Sequence, residues 1–503
     1  MVWNYSGHGG PARLAEEIVL DQEIVNNWSN RYRLPLFITA TCDFAPYDNP
    51  ASNSLGENLL VRPKTGAIAL MTTTRVVFAF SNRIINNNYL RFALEPDATG
   101  RYKTLGEAVL TGKNYTYQTS TDIVNNRKFQ LLGDPAMTLG FPTYNTKITR
   151  VNGKDISSQT DTLHATESVL MEGEINDKTG NVLTNFQGTA YLSLFDKPQN
   201  ISTLANDPTS QQVSFSDQES ILFKGKASVQ NGKFSFRFKT PKDINYQFGN
   251  GKISLYVQNG TDDGSGFSNN VIIGGISSNT NTDNIGPEIK AFLNDDKFVN
   301  GGISNSNPIL LLQLADSSGI NTGNSGIGHD LVATLDNDNS QYFVLNNFYE
   351  SELDNFQKGT VRFQLPQLSA GQHSLKIKAW DALNNSSESI LDFSVIEDGE
   401  LKVSHVLNYP NPFTTKTFFW FEHNRPAQDL SVKIEVFSLS GKLIKTISQT
   451  INSTGNRSNE VEWDGKDDFG QKIGKGVYVY RLRVRTTDGK TANKWERLVI
   501  LDK

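Results

Sequence analysis

The chain contains a single cysteine, Cys42, and six histidines, so any thiol chemistry must use that cysteine. His8 lies in the segment NYSGHGG (residues 4–10), and Cys42 follows in FITATCDF (residues 37–44). A cysteine attacks a carbonyl carbon as a thiolate, which a neighbouring imidazole helps to form. Glycines beside the histidine let the backbone approach a substrate, and backbone N–H groups are good donors to an oxyanion. These residue types favour acyl transfer by a cysteine–histidine pair.

The two residues occupy equivalent places in the predicted secondary structure. Each follows a short apolar run that predicts a strand, Val2–Tyr5 before His8 and LPLFITATC before Cys42. If these strands are parallel, both end at the same edge of the sheet, where open α/β sheets bind their ligands. The 34 positions from His8 to Cys42 suffice for a crossover connection. The segment GPARLAEEIVLDQEIVNNWSN predicts a crossover helix, because Pro11 suits a first helical turn.

Two simpler interpretations stay open at this point. A lone cysteine after an apolar strand is often a buried structural residue, and a histidine between glycines is often an ordinary loop residue. A metal site at His8 is not expected, because such sites need several converging ligands and the other histidines lie far downstream. The placement at two strand ends is what favours a catalytic pair.

Hydrophobic patterning divides the chain into four predicted domains. Residues 1–142 show an α/β pattern, with a buried strand in GAIALMTTT and helices in SNSLGENLLVRP and TLGEAVLTGKNYTYQ. Beyond them the apolar residues alternate, as in KFSFRFKT, and Asn-Gly pairs mark hairpin turns. The predicted domains there are 143–283, 284–398 and 399–503. The predicted fold class is therefore a partial α/β domain followed by three antiparallel β-sandwich (Ig-like) modules.

Composition excludes several classes of function. The net charge is −5 and the sequence pI about 5.8, with no Lys/Arg-rich tract, so no nucleic-acid partner is expected. No run of about 18 apolar residues predicts a membrane-spanning helix, and a single cysteine forbids an internal disulfide. The first residues have no signal-peptide pattern and place a strand at Val2. We therefore expect a chain that is cut within its first domain.

Four ordered segments carry a family resemblance: NYSGHGG, LPLFITATCDF, GAIALMTTTRVV and RKFQLLGDPAMTL. Together they resemble the gingipain-type cysteine peptidases of family C25, which have a caspase-like fold. The resemblance implies that Cys42 is the nucleophile and His8 the general acid/base. It also implies that the backbone amides of Gly9 and Cys42 bind the oxyanion, and that no cofactor takes part.

Within that family, the segments GHGGPARLAEE, TATCDFAPYDNP, SLGE and ALMTTTRVVF resemble the sortases of the type IX secretion system. Residues 399–503, with LNYPNPF and WDGKDDFGQKIGKGVYVYRL, are similar to a type IX C-terminal sorting-domain module. The resemblance implies a cell-surface, outer-membrane-associated endopeptidase and transpeptidase. Such an enzyme removes C-terminal sorting domains from exported cargo, links the cargo to anionic lipopolysaccharide, and docks on a PorV-type outer-membrane barrel. A secreted gingipain-type protease and a non-catalytic surface scaffold or adhesion protein are the alternatives.

The segment after the third predicted strand either walls a substrate pocket or packs as an ordinary loop. Its residues are Thr72, Thr73, Thr74 and Arg75. Asp43 and Glu57 lie near the motifs and are expected to be helix caps or solvated carboxylates. The family also has an earlier half of the sheet and an acidic residue that orients the histidine. Neither is found here, and Glu16 or Glu17 of the predicted crossover helix is a weak substitute for that acid.

A second site hypothesis concerns calcium. The segment DSSGINTGNSGIGHD (residues 316–330) is rich in Asp, Asn and Gly, but it does not have the ligand spacing of an EF-hand. A turn-rich loop is the favoured interpretation, with structural calcium as the alternative. The segment WDGKDDFGQKIGKG invites the same idea, and hairpin turns explain it more simply.

Overall fold

The computed structural model describes the chain from Met1 to Asp502 except for a few short stretches. These are residues 29, 31–32, 52, 64, 157–161, 207–208, 279–282, 324–327 and 398. The protein is multidomain and rich in strands. It divides into two compact units, Met1–Phe141 and Pro142–Lys503. No helix among the described residues combines the length and apolar character needed to cross a membrane.

The described residues of the first unit form six strands and five helices. The strands are β1 (Val2–Ser6), β2 (Arg13–Leu14), β3 (Leu20–Asp21), β4 (Leu36–Ala40), β5 (Ala69–Thr73) and β6 (Phe129–Leu132). The helices are α1 (Gln22–Asn26), α2 (Leu55–Val61), α3 (Ala79–Leu94), α4 (Leu105–Thr119) and α5 (Ile123–Arg127). Four strands form one sheet in the order β1-β4-β5-β6, in which only β6 runs antiparallel to its neighbour.

Hydrophobic side chains fill both faces of this sheet. Alternate residues of β4 point in opposite directions, so Leu36 and Ile38 join a core with Tyr89 of α3, whereas Phe37 joins a second core with Leu59 of α2. Every residue of β4 and β5 is buried. A strand covered on both faces has a continuous run of apolar residues in its sequence, which is why β4 and β5 could be predicted.

Two of the predicted helices are confirmed with their caps. Ser54 begins α2 and Thr104 begins α4, each in a capping box completed by a glutamate three residues later. Glu57 is that glutamate in α2, so its predicted role as a cap is confirmed.

The predicted crossover helix after Pro11 is wrong for most of its length. The chain instead forms the β2–β3 hairpin, and only the five residues of α1 are helical. Ala15 and Ile18 adopt left-handed backbone conformations with φ of 58°, which a helix cannot accommodate. The connection between β1 and β4 is still a crossover between parallel strands.

The second unit is built almost entirely of strands, which fall into three successive groups along the chain. The first group is β7 (Tyr144–Val151), β8 (Lys154–Asp155), β9 (Thr162–Ala165), β10 (Ser168–Asn176), β11 (Gly188–Phe195), β12 (Gln199–Ser202), β13 (Ser214–Asp217), β14 (Ile221–Val229), β15 (Lys233–Lys239), β16 (Gly249–Asn250), β17 (Lys252–Gln258), β18 (Asp263–Ser268) and β19 (Ile272–Ile276). The second group is β20 (Glu288–Leu293), β21 (Ile303–Ser304), β22 (Ile309–Ala315), β23 (Val332–Leu335), β24 (Tyr342–Val344), β25 (Tyr349–Glu352), β26 (Asn355–Gln364), β27 (Gly371–Trp380) and β28 (Ser386–Val395), with a 3₁₀ turn at Asn346–Phe348. The third group is β29 (Val403–Tyr409), β30 (Thr417–His423), β31 (Asp429–Ser438), β32 (Leu443–Asn452), β33 (Val461–Trp463), β34 (Gly476–Thr486) and β35 (Thr491–Ile500).

Each group pairs its strands within itself and has its own hydrophobic core. The main sheet of the first group has the order β14-β11-β17-β18-β7-β10-β15. The second group has the sheets β20-β22-β26-β25 and β21-β28-β27-β23-β24, and the third has β29-β30-β33 and β32-β31-β34-β35. The Asn-Gly turns at Asn152 and Asn231 have positive φ at both residues, as hairpin turns of type I′ require. The predicted domain limits at 283 and 398 fall between the groups and stay predictions.

Candidate active site

The carboxyl edge of the first sheet brings the His8 and Cys42 segments together. Strands β1 and β4 pair in parallel, with Ser6 opposite Ala40 at the end of the ladder. His8 lies two residues beyond Ser6, and Cys42 lies two residues beyond Ala40. Because β1 and β4 run in the same direction and are in register, His8 and Cys42 lie at the same level beyond the ends of adjacent strands.

The backbone of the histidine loop is held by its own neighbours. The carbonyl of His8 accepts hydrogen bonds from the Tyr5 hydroxyl at 2.6 Å and from the backbone N–H of Ala15 at 2.9 Å. Partial burial, and after it the charge of Glu17, raises the pKa of the Tyr5 hydroxyl, so this donor stays protonated at neutral pH. The charge of Glu17 therefore favours the protonated form of the hydroxyl that fixes the loop. The imidazole of His8 itself is exposed.

The loop that contains Cys42 is tied to the end of β5 on both sides of that residue. The Thr73 hydroxyl donates to the carbonyl of Thr41, and the backbone N–H of Asp43 donates to the carbonyl of Arg75 at 3.2 Å. The thiol of Cys42 lies 3.5 Å from the carbonyl oxygen of Val77 and is partly exposed. These ties fix the backbone on both sides of Cys42, whose side chain also packs against the core of the sheet.

The backbone N–H groups predicted to bind the oxyanion have no acceptor among the described residues. Within the described part of the chain, neither the N–H of Gly9 nor that of Cys42 donates a hydrogen bond to another residue. Gly10 and Ala15, by contrast, use their N–H groups to close the loop onto Arg13 and His8. Two free donors beside a thiol and an imidazole are what stabilisation of a tetrahedral oxyanion requires.

The hydroxyl of Thr41 is a site feature that sequence reasoning missed. It is buried, has no hydrogen-bond partner among the described residues, and lies where a Cβ on Gly9 would come within 2.7 Å. A glycine is therefore required at position 9 by packing as well as by access to substrate. The only signal in the sequence was the threonine directly before Cys42.

The segment predicted to wall a substrate pocket divides into two kinds of residue. Thr72 and Thr73 are fully buried, and Thr72 shares a 2.6 Å hydrogen bond with the hydroxyl of Thr39. For these two residues the packing interpretation matches the geometry, since neither side chain reaches the surface. Thr74 is nearly buried, whereas Arg75 is exposed and binds Asp48 through two contacts of 2.5 and 2.9 Å. Of the four, Arg75 alone has an exposed side chain, and its guanidinium is held by Asp48.

Three carboxylates in the second unit could share a cation. The oxygens of Asp283, Asp316 and Asp381 lie within 4.8 Å of one another. Burial, together with the negative charges of Asp381 and Asp283, raises the pKa of Asp316 to about 6. Asp316 begins the predicted calcium segment, of which residues 324–327 lie outside the described residues. The oxygens of Asp283 and Asp381 are already bonded by Ser317, Ser318 and Asn385, so calcium here stays a prediction.

The comparison with protein families bears on the first unit. The model of peptidase family C25 matches residues 1–140. This segment contains strands β1 and β4 and the candidate catalytic residues His8 and Cys42. The matched segment is most of the first unit. The match agrees with the resemblance noted in the sequence. No curated protein sequence is similar enough to this chain to count as a match.

Solved structures similar to this chain include PorU and gingipain. The crystal structure of dimeric latent PorU from Porphyromonas gingivalis aligns at 28% identity and a TM-score of 0.35, covering 88% of this chain. The complex of Porphyromonas gingivalis RgpB pro- and mature domains aligns at 16% identity and a TM-score of 0.25, over 52% of this chain and 53% of its own. This chain spans 42% of the PorU chain.

The packing of Gly9 in the first unit gives a first testable prediction. Alanine at position 9 would place its Cβ against the Thr41 hydroxyl, Leu14 and the carbonyl of Arg13. We expect Gly9→Ala to destabilise the unit by about 1–3 kcal/mol and to lower the rate of Cys42 alkylation by a peptide-based ketone. Gly10→Ala is the matched control, because a Cβ there meets nothing within 4 Å.

Thermal melting and alkylation rates would be measured for both variants and for Gly9→Ala combined with Thr41→Ala. The double variant removes the closest clash and should recover part of the lost stability. Equal effects of Gly9→Ala and Gly10→Ala would contradict the packing argument.

Proposed function

We propose that this chain carries the catalytic residues of a type IX secretion sortase, a cysteine endopeptidase and transpeptidase. The observation that carries the proposal is the placement of His8 and Cys42 at the same level beyond two adjacent parallel strands. The unused amides of Gly9 and Cys42 add the oxyanion donors that acyl transfer needs.

The proposed reaction proceeds through a thioester. His8 takes the proton of the Cys42 thiol, and the thiolate attacks the carbonyl carbon of the scissile bond. The amides of Gly9 and Cys42 hold the resulting oxyanion. When the carbon–nitrogen bond breaks, protonated His8 returns its proton to the leaving amine. An incoming amine, or water, then attacks the thioester carbonyl and gives a proton to neutral His8, while the carbon–sulfur bond breaks and the Cys42 thiolate leaves.

The proposed substrate is exported cargo that ends in a C-terminal sorting domain. Cleavage removes that domain, and attack by an amine of anionic lipopolysaccharide links the cargo to it at the cell surface. The C-terminal residues 399–503 would hold the enzyme at the outer membrane by docking on a PorV-type barrel. These assignments rest on the motif resemblance, and no structural calcium is needed for any step.

The proposal is tested with a fusion of a reporter domain to a type IX sorting domain. The chain is incubated with this fusion and hydroxylamine, a small amine that traps a thioester as a hydroxamate. Mass spectrometry should find the reporter cut once near the junction and ending in a hydroxamate. Cuts throughout the reporter that end in free carboxylates would indicate a general protease of gingipain type. If the wild-type chain does not cut the fusion, the result would favour the non-catalytic surface scaffold or adhesion protein.

A further inference from the structure

The outer face of one sheet in the C-terminal group is strongly basic. In β31 and β34 the even-numbered residues form the core, among them Leu430, Val432, Leu482 and Val484. The odd-numbered residues therefore point away from the core. On β34 these include Arg481, Arg483 and Arg485, which stand in one row along the strand.

The neighbouring strands extend this row into a face. Lys433 of β31 lies directly opposite Arg483, and Arg497 of β35 lies opposite Val479 on the same side. We call the set the basic face: Lys433, Arg481, Arg483, Arg485 and Arg497. Glu435 at its centre accepts bonds from Arg481 at 2.6 Å and Lys433 at 3.0 Å. The only other carboxylate among the described odd positions of these strands is Asp429, at the end of β31.

The charge of this region opposes that of the rest of the chain. Residues 399–503 contain 17 Lys and Arg against 12 Asp and Glu, a net charge of +5. The other 398 residues contain 31 Lys and Arg against 41 Asp and Glu, a net charge of −10. The basic face is therefore a local feature that the overall net charge of −5 conceals.

Repulsion between the charges of the basic face lowers the stability of the sheet when no partner of opposite charge is bound. Like charges directly opposite on paired strands, as Lys433 and Arg483 are, destabilise a sheet. Arginines at every second residue of β34 repeat at about 6.8 Å, so each repels the next. A polymer with regularly spaced anionic groups would relieve this repulsion at several points together.

Two aromatic side chains and rows of hydroxyls complete the face. Trp495 is half exposed, lies opposite Arg481 and has that guanidinium 5.3 Å from its ring. Thr446 and Ser448 of β32 lie opposite Glu435 and Lys433 on the adjoining strand. A flat indole face packs well against the C–H face of a sugar ring, and the hydroxyls offer hydrogen bonds to its oxygens. Phe437 of β31 lies beside Trp495 with 5.5 Å between the ring centroids, and single-stranded nucleic acid also stacks on aromatic rings, so an oligonucleotide competes in the test below.

We propose that the basic face binds an acidic polysaccharide, a sugar polymer carrying sulfate, phosphate or carboxylate groups. Binding uses none of the catalytic residues. If the sortase proposal holds, the face would gather the polymer that accepts the cargo, and this link alone rests on the proposed function.

The test uses the whole chain with Cys42→Ala, so that its outcome does not depend on peptidase activity. Dextran sulfate is the probe, neutral dextran its uncharged counterpart, and a thymidine oligonucleotide the competing polyanion. Titration calorimetry should detect binding of dextran sulfate that weakens with added salt, and none of neutral dextran. The double variant Arg483→Glu with Arg485→Glu should lower affinity about tenfold or more.

Two further variants make the assignment specific. Lys472→Glu with Lys475→Glu changes the net charge equally at exposed positions outside the face, and its affinity should stay close to that of the parent. Trp495→Ala should weaken dextran sulfate binding several-fold while leaving its salt dependence unchanged. Equal loss in both charge-reversed pairs, binding of dextran and dextran sulfate alike, or tighter binding of the oligonucleotide would each overturn the proposal.

Discussion

Alanine at Cys42 or at His8 should lower hydrolysis of a peptide spanning the cargo junction by about 10⁵-fold or more. The sulfur is the sole thiol of the chain, and no second histidine lies in the first unit to replace the imidazole. Residues that act as one nucleophilic unit are strongly non-additive. The double variant should therefore be no slower than either single variant.

The measurement is the rate of product formation, with melting temperatures recorded for each variant. His405→Ala is the matched control, since the His405 side chain is 63% exposed and lies in the C-terminal group. It should leave the rate unchanged. A His8→Ala chain that keeps most of its activity would show that His8 is an ordinary loop residue. In that case His8 would not be the general base, and the proposed dyad of His8 and Cys42 would be wrong.

The positions of the two catalytic candidates could be predicted because they depend on strand ends. Apolar runs bounded by polar residues locate β1, β4 and β5 well, and parallel pairing then places His8 beside Cys42. The supports of the site could not be predicted in the same way. The bond from Thr73 to the Thr41 carbonyl joins residues 32 positions apart, and no local pattern encodes such a pairing.

The missed elements have identifiable physical causes. Helix α3 begins after Phe78, which provides no side-chain cap, and its interior contains several asparagines, so neither start signal nor composition marks it. The segment after Pro11 has a helical composition, yet its backbone bonds to the carbonyl of His8 and to its own hairpin. A tertiary requirement at the active site thus overrides local helix propensity there.

A large loss of stability on lowering the pH is expected at His423, the last residue of β30. Its imidazole is fully buried, with Nδ1 accepting from the backbone N–H of Arg425 and Nε2 bonded to the hydroxyl of Ser453 at 2.7 Å. The first bond requires an unprotonated Nδ1, so the ring is neutral and carries its proton on Nε2. Burial, and after it the charge of Arg425, lowers the pKa of His423 to about 4.

This depressed pKa makes the C-terminal group sensitive to acid. Below pH 6.5 His423 is protonated in the unfolded chain, whereas in the folded chain it stays neutral until the pH falls to about 4. Stability is therefore complete above pH 6.5 and falls by about 3 kcal/mol as the pH drops to 4. Hydrogen exchange of β30 and β33 amides, corrected for intrinsic rates, would follow this loss. His423→Gln cannot be protonated and should lose less stability over the same range, whereas His405→Gln should lose as much as wild type. Parallel losses in wild type and His423→Gln would assign the acid sensitivity to other groups.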